Sequence, residues 1–158
     1  MTWTSEIDFD LAALTEMKSG EPQFFYFGNR GMIDKSPYIA LDHDAGVGDK
    51  EDVGGNQEIL RIDKLNDVKK VHLFCWDYKE VQQGGHARFH ESDIKIAITE
   101  NNETEHTVSL DSVEIGNVVL LATIDNTDPS GARFVNRSEI ETLKHLNDSQ
   151  QFINIANR

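Results

Sequence analysis

The stretch Val71-His72-Leu73-Phe74-Cys75-Trp76-Asp77-Tyr78 decides the fold that we predict for this chain. Successive side chains of a strand point to opposite faces, and here both alternating sets are largely apolar. A strand that is apolar on both faces is typical of the centre of a sheet that is covered on two sides. The stretch therefore predicts a central strand with one apolar layer above it and another below it.

Short strands between turn signals account for most of the remaining chain, which is the all-β pattern. Alternation and turn residues predict strands at residues 7–11, 23–27, 37–41, 59–63, 94–98, 106–110, 117–125 and 132–135. A turn at residues 128–131, Asp-Pro-Ser-Gly, joins the last two strands. No composition shift marks a boundary, so we predict a single domain over residues 1–158.

One helix is predicted near the end of the chain, beginning at Ser138 with acidic residues in its first turn. Its apolar stripe is formed by Ile140, Leu143 and Leu146. Asn147-Asp148 is predicted to end the helix, and residues 152–155 are predicted to form a final strand. The predicted fold class is all-β, an antiparallel two-sheet β-sandwich with one short C-terminal helix.

Composition narrows the classes of function. The chain has 28 acidic and 15 basic residues, a formal net charge of −13 and a pI near 4.7. This charge disfavours nucleic acid as a partner, and also direct adsorption on anionic lipid unless bound cations reverse the local sign. A lone cysteine, Cys75, allows no internal disulfide and fits a reducing compartment. Neither a signal peptide nor a membrane-length apolar window is predicted, so we expect a cytoplasmic protein.

Residues 42–58, between two predicted strands, form an acidic segment that combines carboxylates and amides with four glycines and a single lysine. Carboxylate, amide and carbonyl oxygens on flexible backbone suit a hard divalent cation such as Ca²⁺. The segment is not an EF-hand, because Gly46 stands at the fifth position and Val53 at the twelfth, where glutamate is required. Composition alone leaves two interpretations open, a calcium loop that shares ligands with distant residues and a solvated acidic loop.

Asp8 and Asp10 are a second acidic feature. They lie two residues apart in a predicted strand, so both carboxylates are expected on one side while the alternate residues face the core. Adjacent like charges repel unless a cation or a hydrogen-bond donor intervenes. The pair is therefore either a partner of the acidic segment at a shared metal site or two solvent-facing carboxylates. Asp77, at the end of the central strand, is a candidate for an additional ligand.

Three other features of the sequence do not match known cofactor-binding, metal-binding or reactive-thiol motifs. Gly46-Val47-Gly48 does not open a dinucleotide-binding loop, because Glu51 stands at the third glycine position and no helix is predicted to follow. His86 and His90 are four residues apart but lack the glutamate of a zinc-protease motif, so surface histidines are expected. Cys75 is predicted to be a small buried hydrophobe.

Several segments follow one another in a distinctive order: Asp8-Phe9-Asp10-Leu11, Phe27-Gly28-Asn29-Arg30-Gly31, residues 36–44, residues 54–58 and the central strand 71–78. This order resembles the tellurium-resistance TerD superfamily, and its TerA-like branch most. That branch has a D-x-D-L opening, an x-G-N segment, a P-[FY]-I-x-L-D-x-D-D-R-x-G loop and a G-E-N-L-x-I-N strand start. The resemblance covers residues 5–99.

The resemblance implies a compact β-sandwich that binds one or two Ca²⁺ ions through acidic loops. It also implies a bacterial, cytoplasmic protein of chemical-stress and tellurite resistance, and it provides no catalytic residues to carry over. Its implied partners are other tellurite-resistance and stress proteins, with peripheral membrane association through such a complex.

Carried over position by position, the resemblance implies a set of metal ligands in this chain. The family's D-D-R-x-G reads Asp44-Ala45-Gly46-Val47-Gly48 here, and the acidic residue of G-E-N is displaced to Glu58. Carboxylates in residues 49–52 are candidates to compensate for the missing aspartate. The predicted ligands are Asp8, Asp10, Asn29, Asp42, Asp44, Asp52, Asn56 and Glu58.

Three functions follow from these features, and we favour the first. It is a Ca²⁺-binding, non-catalytic β-sandwich that acts as a sensor or scaffold in a stress complex. The second is a metal-dependent hydrolase that uses the loop carboxylates with His43 as general base. The third is a C2-like module in which Ca²⁺ joins loop tips carrying Val47 and Lys50 to anionic lipid.

Overall fold

A computed structural model describes residues 1–5, 7–42, 56–87, 89, 92–110, 113–146 and 148–158. In chain order its elements are β1 (Thr2–Trp3), β2 (Phe9–Met17), β3 (Gln23–Phe25), β4 (Gly31–Met32), β5 (Ile39–Leu41), β6 (Asn56–Gln57), β7 (Leu60–Ile62), β8 (Val68–Asp77), α1 (Tyr78–Gln83), β9 (Lys95–Glu100), β10 (Glu103–Ser109), β11 (Val118–Asp125), β12 (Arg133–Glu141) and α2 (Ser149–Ala156).

Five of these strands form a central antiparallel sheet in the order β12-β11-β8-β2-β3. Strand β8 is the middle strand, and its residues from Val71 to Asp77 are all buried. It pairs with β2 on one side and with β11 on the other, in a register that sets Cys75 opposite both Leu11 and Val119. The prediction of a central strand with two apolar faces is confirmed.

A front layer covers one face of the central sheet. It consists of a four-stranded sheet, β10-β9-β1-β6, and a three-stranded sheet, β4-β5-β7. Side chains from this layer pack against Leu11, Leu73 and Cys75 in one apolar cluster. Burying apolar area between packed layers is the main favourable term in the folding of such a domain.

The opposite face of the central sheet is covered by the C-terminal helix. Phe152 and Ile155 of α2 join a second apolar cluster with Phe74, Trp76 and Leu120 from the central strands. The fold is therefore an all-β antiparallel sandwich with a short C-terminal helix, as the sequence predicts. The front layer is split into two small sheets.

The helix does not begin where the sequence predicts it. Ser138 and the residues after it lie in β12, which pairs with β11 as far as Glu141. The register shifts between Leu120 and Ala122 of β11, and Ser138 has a φ of 49°. The pattern that resembles a helix N-terminus is thus an irregularity within a paired strand, of the kind that a β-bulge produces.

The predicted final strand at 152–155 is also wrong, because these residues lie in α2. Asp148 is the N-cap of this helix and accepts a hydrogen bond from the backbone amide of Gln150 at 2.9 Å. A residue predicted to stop a helix starts one, since short polar side chains serve both purposes. None of the helices in the described residues is long and apolar enough to cross a membrane.

Candidate functional site

Asp10 and Asp77 lie at the end of the central sheet where β2 begins at Phe9 and β8 ends, which we name the acidic end. Asp10 lies in β2 opposite Trp76, and its carboxylate accepts a hydrogen bond of 2.8 Å from the indole Nε1. Asp10 is only 4% exposed, whereas Asp8 is half-buried. The interpretation of Asp10 as a solvent-facing carboxylate is therefore wrong.

Glu58 links the acidic segment to this strand. Glu58 is 5% exposed. Its Oε2 atom accepts a hydrogen bond from the backbone amide of Leu11, the residue directly after Asp10. Strand β3 pairs with β2 only from Ala13 to Thr15, so the Leu11 amide lies beyond the end of β3. The Glu58 side chain satisfies a backbone donor that would otherwise be buried without a partner.

The two ends of the acidic segment meet in the described residues. The backbone amide of Asp42 donates to the carbonyl of Ile59 at 2.8 Å, so the segment leaves and returns to the sandwich at one place. The Asp42 carboxylate forms two bonds of 2.9 Å with the Nε and Nη2 atoms of Arg61. This pairing raises the pKa of Arg61 above its usual value.

Two predicted amide ligands support the backbone around the same region. Asn56 is buried, with 6% of its surface exposed, and its Nδ2 atom donates to the carbonyl of Ser5 at 3.0 Å. The Nδ2 atom of Asn29 donates to the carbonyl of Phe24 at 2.9 Å. Both amide nitrogens therefore fix loops in place, which is a structural role that the sequence reasoning did not assign.

Asp77, the candidate for an additional ligand, caps a helix that the sequence reasoning missed. Its Oδ1 accepts a 3.0 Å hydrogen bond from the backbone amide of Glu80 in the first turn of α1. Burial is the largest influence on this carboxyl and raises its pKa. Tyr78-Lys79-Glu80 after an aspartate is a usable signal for this helix start.

Carboxylates also surround the buried thiol of Cys75. Burial raises the pKa of Cys75 well above its usual value, and the negative charges of Glu58, Asp10 and Asp77 raise it further. The thiol is thus held protonated, and the prediction that Cys75 acts as a small hydrophobe agrees with its complete burial. The positively charged N-terminus acts in the opposite direction and lowers the pKa of Cys75.

The described residues do not by themselves complete a metal site. No group of three or more His, Cys, Asp or Glu side chains among them is arranged to hold a metal ion. Asp44 and Asp52 of the predicted set lie outside the described residues, as does His43. Of the described ligands, Glu58 at one end of the acidic segment contacts Leu11, next to Asp10, and Asp42 at the other end bonds to Ile59 and Arg61.

An aromatic groove lies beside the acidic end, and the sequence reasoning did not assign it a role. Its volume is about 830 Å³, and its aromatic lining residues are Phe24, Tyr26, Phe27 and Tyr78. The ring of Tyr26 covers Gly28, where an added Cβ would lie 2.7 Å from the ring, so the turn at 26–29 requires glycine there. The aromatic run at residues 23–27 was the available signal.

The fold and these contacts define an antiparallel β-sandwich with buried carboxylates at one end of its central sheet. Comparison with protein-family models and with curated protein sequences gives no match. Among solved structures, the chain is similar to one described as the crystal structure of unknown function protein SAV2460. The TM-score is 0.59, with 16% identical residues, over 84% of this chain and 80% of that chain. At this level of identity the similarity concerns the fold.

Proposed function

We propose that this protein is a Ca²⁺-binding, non-catalytic β-sandwich that acts as a sensor or scaffold in a bacterial stress-resistance complex. The observation that carries the proposal is the contact between the Glu58 carboxylate and the Leu11 amide. It joins the foot of the acidic segment to the strand that carries Asp10, although 47 residues separate Glu58 from Leu11 in sequence. Carboxylates of two distant segments are thereby brought to one region, as a shared calcium site requires.

The residues that would hold the ion in this proposal are Asp8, Asp10, Asp42 and Glu58, together with Asp44 and Asp52. Bound Ca²⁺ would supply positive charge to a region where the chain itself provides mostly carboxylates. The protein's part is to hold the two segments against each other, through the Glu58 contact and through the backbone bond between Asp42 and Ile59. The fraction of protein with Ca²⁺ bound between the two segments would then depend on the Ca²⁺ concentration, which is what a sensor needs.

The place in tellurite and chemical-stress resistance rests on the resemblance of residues 5–99 to the TerD superfamily. The partners proposed on this basis are other stress-resistance proteins in the cytoplasm. A scaffold role needs no reacting group.

Calorimetric titration with Ca²⁺ and Mg²⁺, with melting curves recorded in parallel, tests calcium binding. We expect saturable Ca²⁺ binding with one or two ions per chain and a melting temperature that rises with the ratio of free Ca²⁺ to its dissociation constant. Asp44→Asn removes a predicted ligand and should weaken binding at least about tenfold, because each lost carboxylate ligand lowers calcium affinity strongly. The matched control is Asp34→Asn, which removes an exposed carboxylate outside the predicted set.

Arg61 offers a sharper test, because its guanidinium group donates two hydrogen bonds to the carboxylate of Asp42. If Asp42 is a ligand, Arg61→Gln should raise the affinity for Ca²⁺, since the cation that competes for this carboxylate is removed. Arg133→Gln makes the same change of charge on β12 and should leave the affinity nearly unchanged. A melting temperature that does not respond to millimolar Ca²⁺ would contradict the proposal.

A further inference from the structure

The front layer contains a cleft between its two small sheets. Its volume is about 390 Å³, and its walls are β7 and β9. Leu11, Leu73 and Ile124 of the central sheet form its apolar floor. The cleft is therefore a gap between the two front sheets that reaches the central sheet, where Leu11 and Leu73 are 5% and 7% exposed.

Both walls of this cleft are strand edges. Strand β9 pairs along its length with β10, but on the cleft side it pairs with β1 only at Lys95. Strand β7 pairs with β5 on one side, and no strand in the described part of the chain pairs with it on the other. Open strand edges offer backbone donors and acceptors to any extended segment that enters between them.

Side-chain alternation defines what kind of strand fits. Ile96 and Ile98 of β9 point inward, whereas Lys95 is exposed on the outer face. In β7 the exposed residue is Arg61, and its charge is shared with Asp42. An entering strand would thus place apolar side chains on the floor and an acidic side chain outside, near the basic residues of its neighbours.

The chain contains a segment of this description. Val113 and Ile115 are 78% and 75% exposed, the highest values for large hydrophobic residues in the part of the chain that the structure describes, and Glu114 stands between them. In an extended conformation Val113 and Ile115 would point to the same side and Glu114 to the other. The segment is three residues long, as is β7. It is anchored at its end, where the amide of Ala87 donates to the carbonyl of Gly116 at 2.7 Å.

We propose that residues 113–115 of one copy of the chain insert as a strand between β7 and β9 of a second copy. The insertion would join the two small front sheets of the receiving copy through one added strand and cover Val113 and Ile115. In the proposed two-fold dimer each copy gives its segment to the cleft of the other, so the two contacts are equivalent. Such a dimer is weak, because the inserted area is small compared with that of stable interfaces.

Sedimentation velocity over micromolar to millimolar protein concentrations tests the oligomeric state, with Ca²⁺ in one series and a chelator in the other. A dimer whose population rises with concentration is expected in the chelator series as well as with Ca²⁺, since Val113 and Ile115 are not predicted metal ligands, although Glu58 is among the residues that line the cleft. This separates the outcome from the calcium proposal. A monomer at every concentration would overturn the inference.

The double variant Val113→Ser/Ile115→Ser tests which surface is used. We expect its dissociation constant to rise at least about tenfold, because two exposed apolar side chains no longer enter the cleft. Val135→Ser is the matched control, since Val135 is 41% exposed on β12 and does not line the cleft. Dimerisation that survives the double variant would show that another surface is responsible and would overturn the inference.

A synthetic peptide of residues 111–117 tests the cleft without altering the protein. Added to the wild-type protein, it should shift the amide resonances of β7 and of residues 96–99 and dissociate the dimer. The control peptide has serine at positions 113 and 115 and should do neither. Resonance shifts confined to other strands would contradict insertion at this cleft.

Discussion

The two ends of the central sheet bury ionisable groups in different ways. At the acidic end, Asp10 and Glu58 accept hydrogen bonds from neutral donors, the indole of Trp76 and the amide of Leu11. At the opposite end, which we name the histidine end, His72 of β8 bonds to Glu16 of β2 at 2.8 Å and to Thr123 of β11 at 2.9 Å.

The difference lies in whether the hydrogen-bond donor to the carboxylate can itself titrate. Because the ionised Glu16 carboxylate only accepts hydrogen bonds, the neutral ring of His72 must carry its proton on Nε2. Its Nδ1 atom then accepts from the hydroxyl of Thr123. The carboxylates of Asp10, Glu58 and Glu16 thus all accept from neutral donors, but only His72 can itself take up a proton. The acidic end has a cation instead, the N-terminal ammonium of Met1, which donates to the carbonyl of Glu58 at 2.9 Å and interacts with the charge of its carboxylate.

Trp76→Phe should produce the largest effect at the acidic end. Phenylalanine keeps an aromatic ring beside Phe152 but removes the indole donor, so the buried carboxylate of Asp10 loses a charge-assisted hydrogen bond. We expect the free energy of unfolding to fall by about 3 kcal/mol, the upper range for hydrogen bonds to charged groups. Urea unfolding followed by circular dichroism measures this change.

The matched control for this variant is Trp3→Phe. The Nε1 atom of Trp3 donates at 2.8 Å to the carbonyl of Ile7, a neutral acceptor, so we expect a loss of about 1 kcal/mol from the hydrogen bond. Equal losses in the two variants would mean that the Asp10 carboxylate is not ionised or is compensated elsewhere. The charge-assisted hydrogen bond between Trp76 and Asp10 would then not distinguish the acidic end from the histidine end.

The apolar pattern was sufficient to predict the layers of the fold. The stretch 71–78 is apolar on both faces, and it occupies the centre of a sheet that is covered on both sides. The same kind of pattern failed at residues 138–141, because pairing with β11 overrides a local signal that suits a helix start. The prediction at Asp148 was wrong for a different reason: a short polar residue is compatible with both the end and the start of a helix, and here it starts one.

The site was less predictable than the fold. Spacing alone predicted that Asp8 and Asp10 lie on one side of a strand, but β2 begins at Phe9, so only Asp10 belongs to it. Spacing could not predict that Arg61 pairs with Asp42 or that Asp10 holds an indole, because these partners come from other strands. Hydrogen-bond partners across a sheet depend on register, which a single sequence specifies only weakly.

Thr123→Val tests the histidine end and should have a smaller effect than Trp76→Phe. Valine is well suited to a strand but leaves Nδ1 of His72 without the hydroxyl donor in a buried setting. We expect the free energy of unfolding to fall by about 1–2 kcal/mol. Thr107→Val, on the exposed side of β10, is the control and should change stability by less than about 0.5 kcal/mol. An equally small change in both variants would show that the hydroxyl contributes nothing to the histidine end.

Acidification should change the free energy of unfolding in opposite directions at the two ends. This effect should be smallest near neutral pH. Burial lowers the pKa of His72 below 6.5 despite the opposing pull of Glu16, and the charges of Lys70 and Arg137 lower it further. The unfolded chain then binds the proton more readily, so stability from this group is complete above pH 6.5 and is lost as the pH falls towards the folded pKa. Burial raises the pKa of Asp77 above 3.8, so its contribution has the opposite sign and increases stability as the pH falls through its folded pKa.

Urea unfolding over a pH series, with His72→Gln and Asp77→Asn beside the wild type, measures both signs. Asparagine caps helices about as well as aspartate, so Asp77→Asn keeps α1 and removes only the titration. His72→Gln should lose the decline that begins near pH 6.5, because the buried proton acceptor is gone. Asp77→Asn should keep that decline but lose the stabilising contribution at acidic pH. If both variants follow the wild-type curve, the two ends do not differ in how their buried groups are coupled to folding.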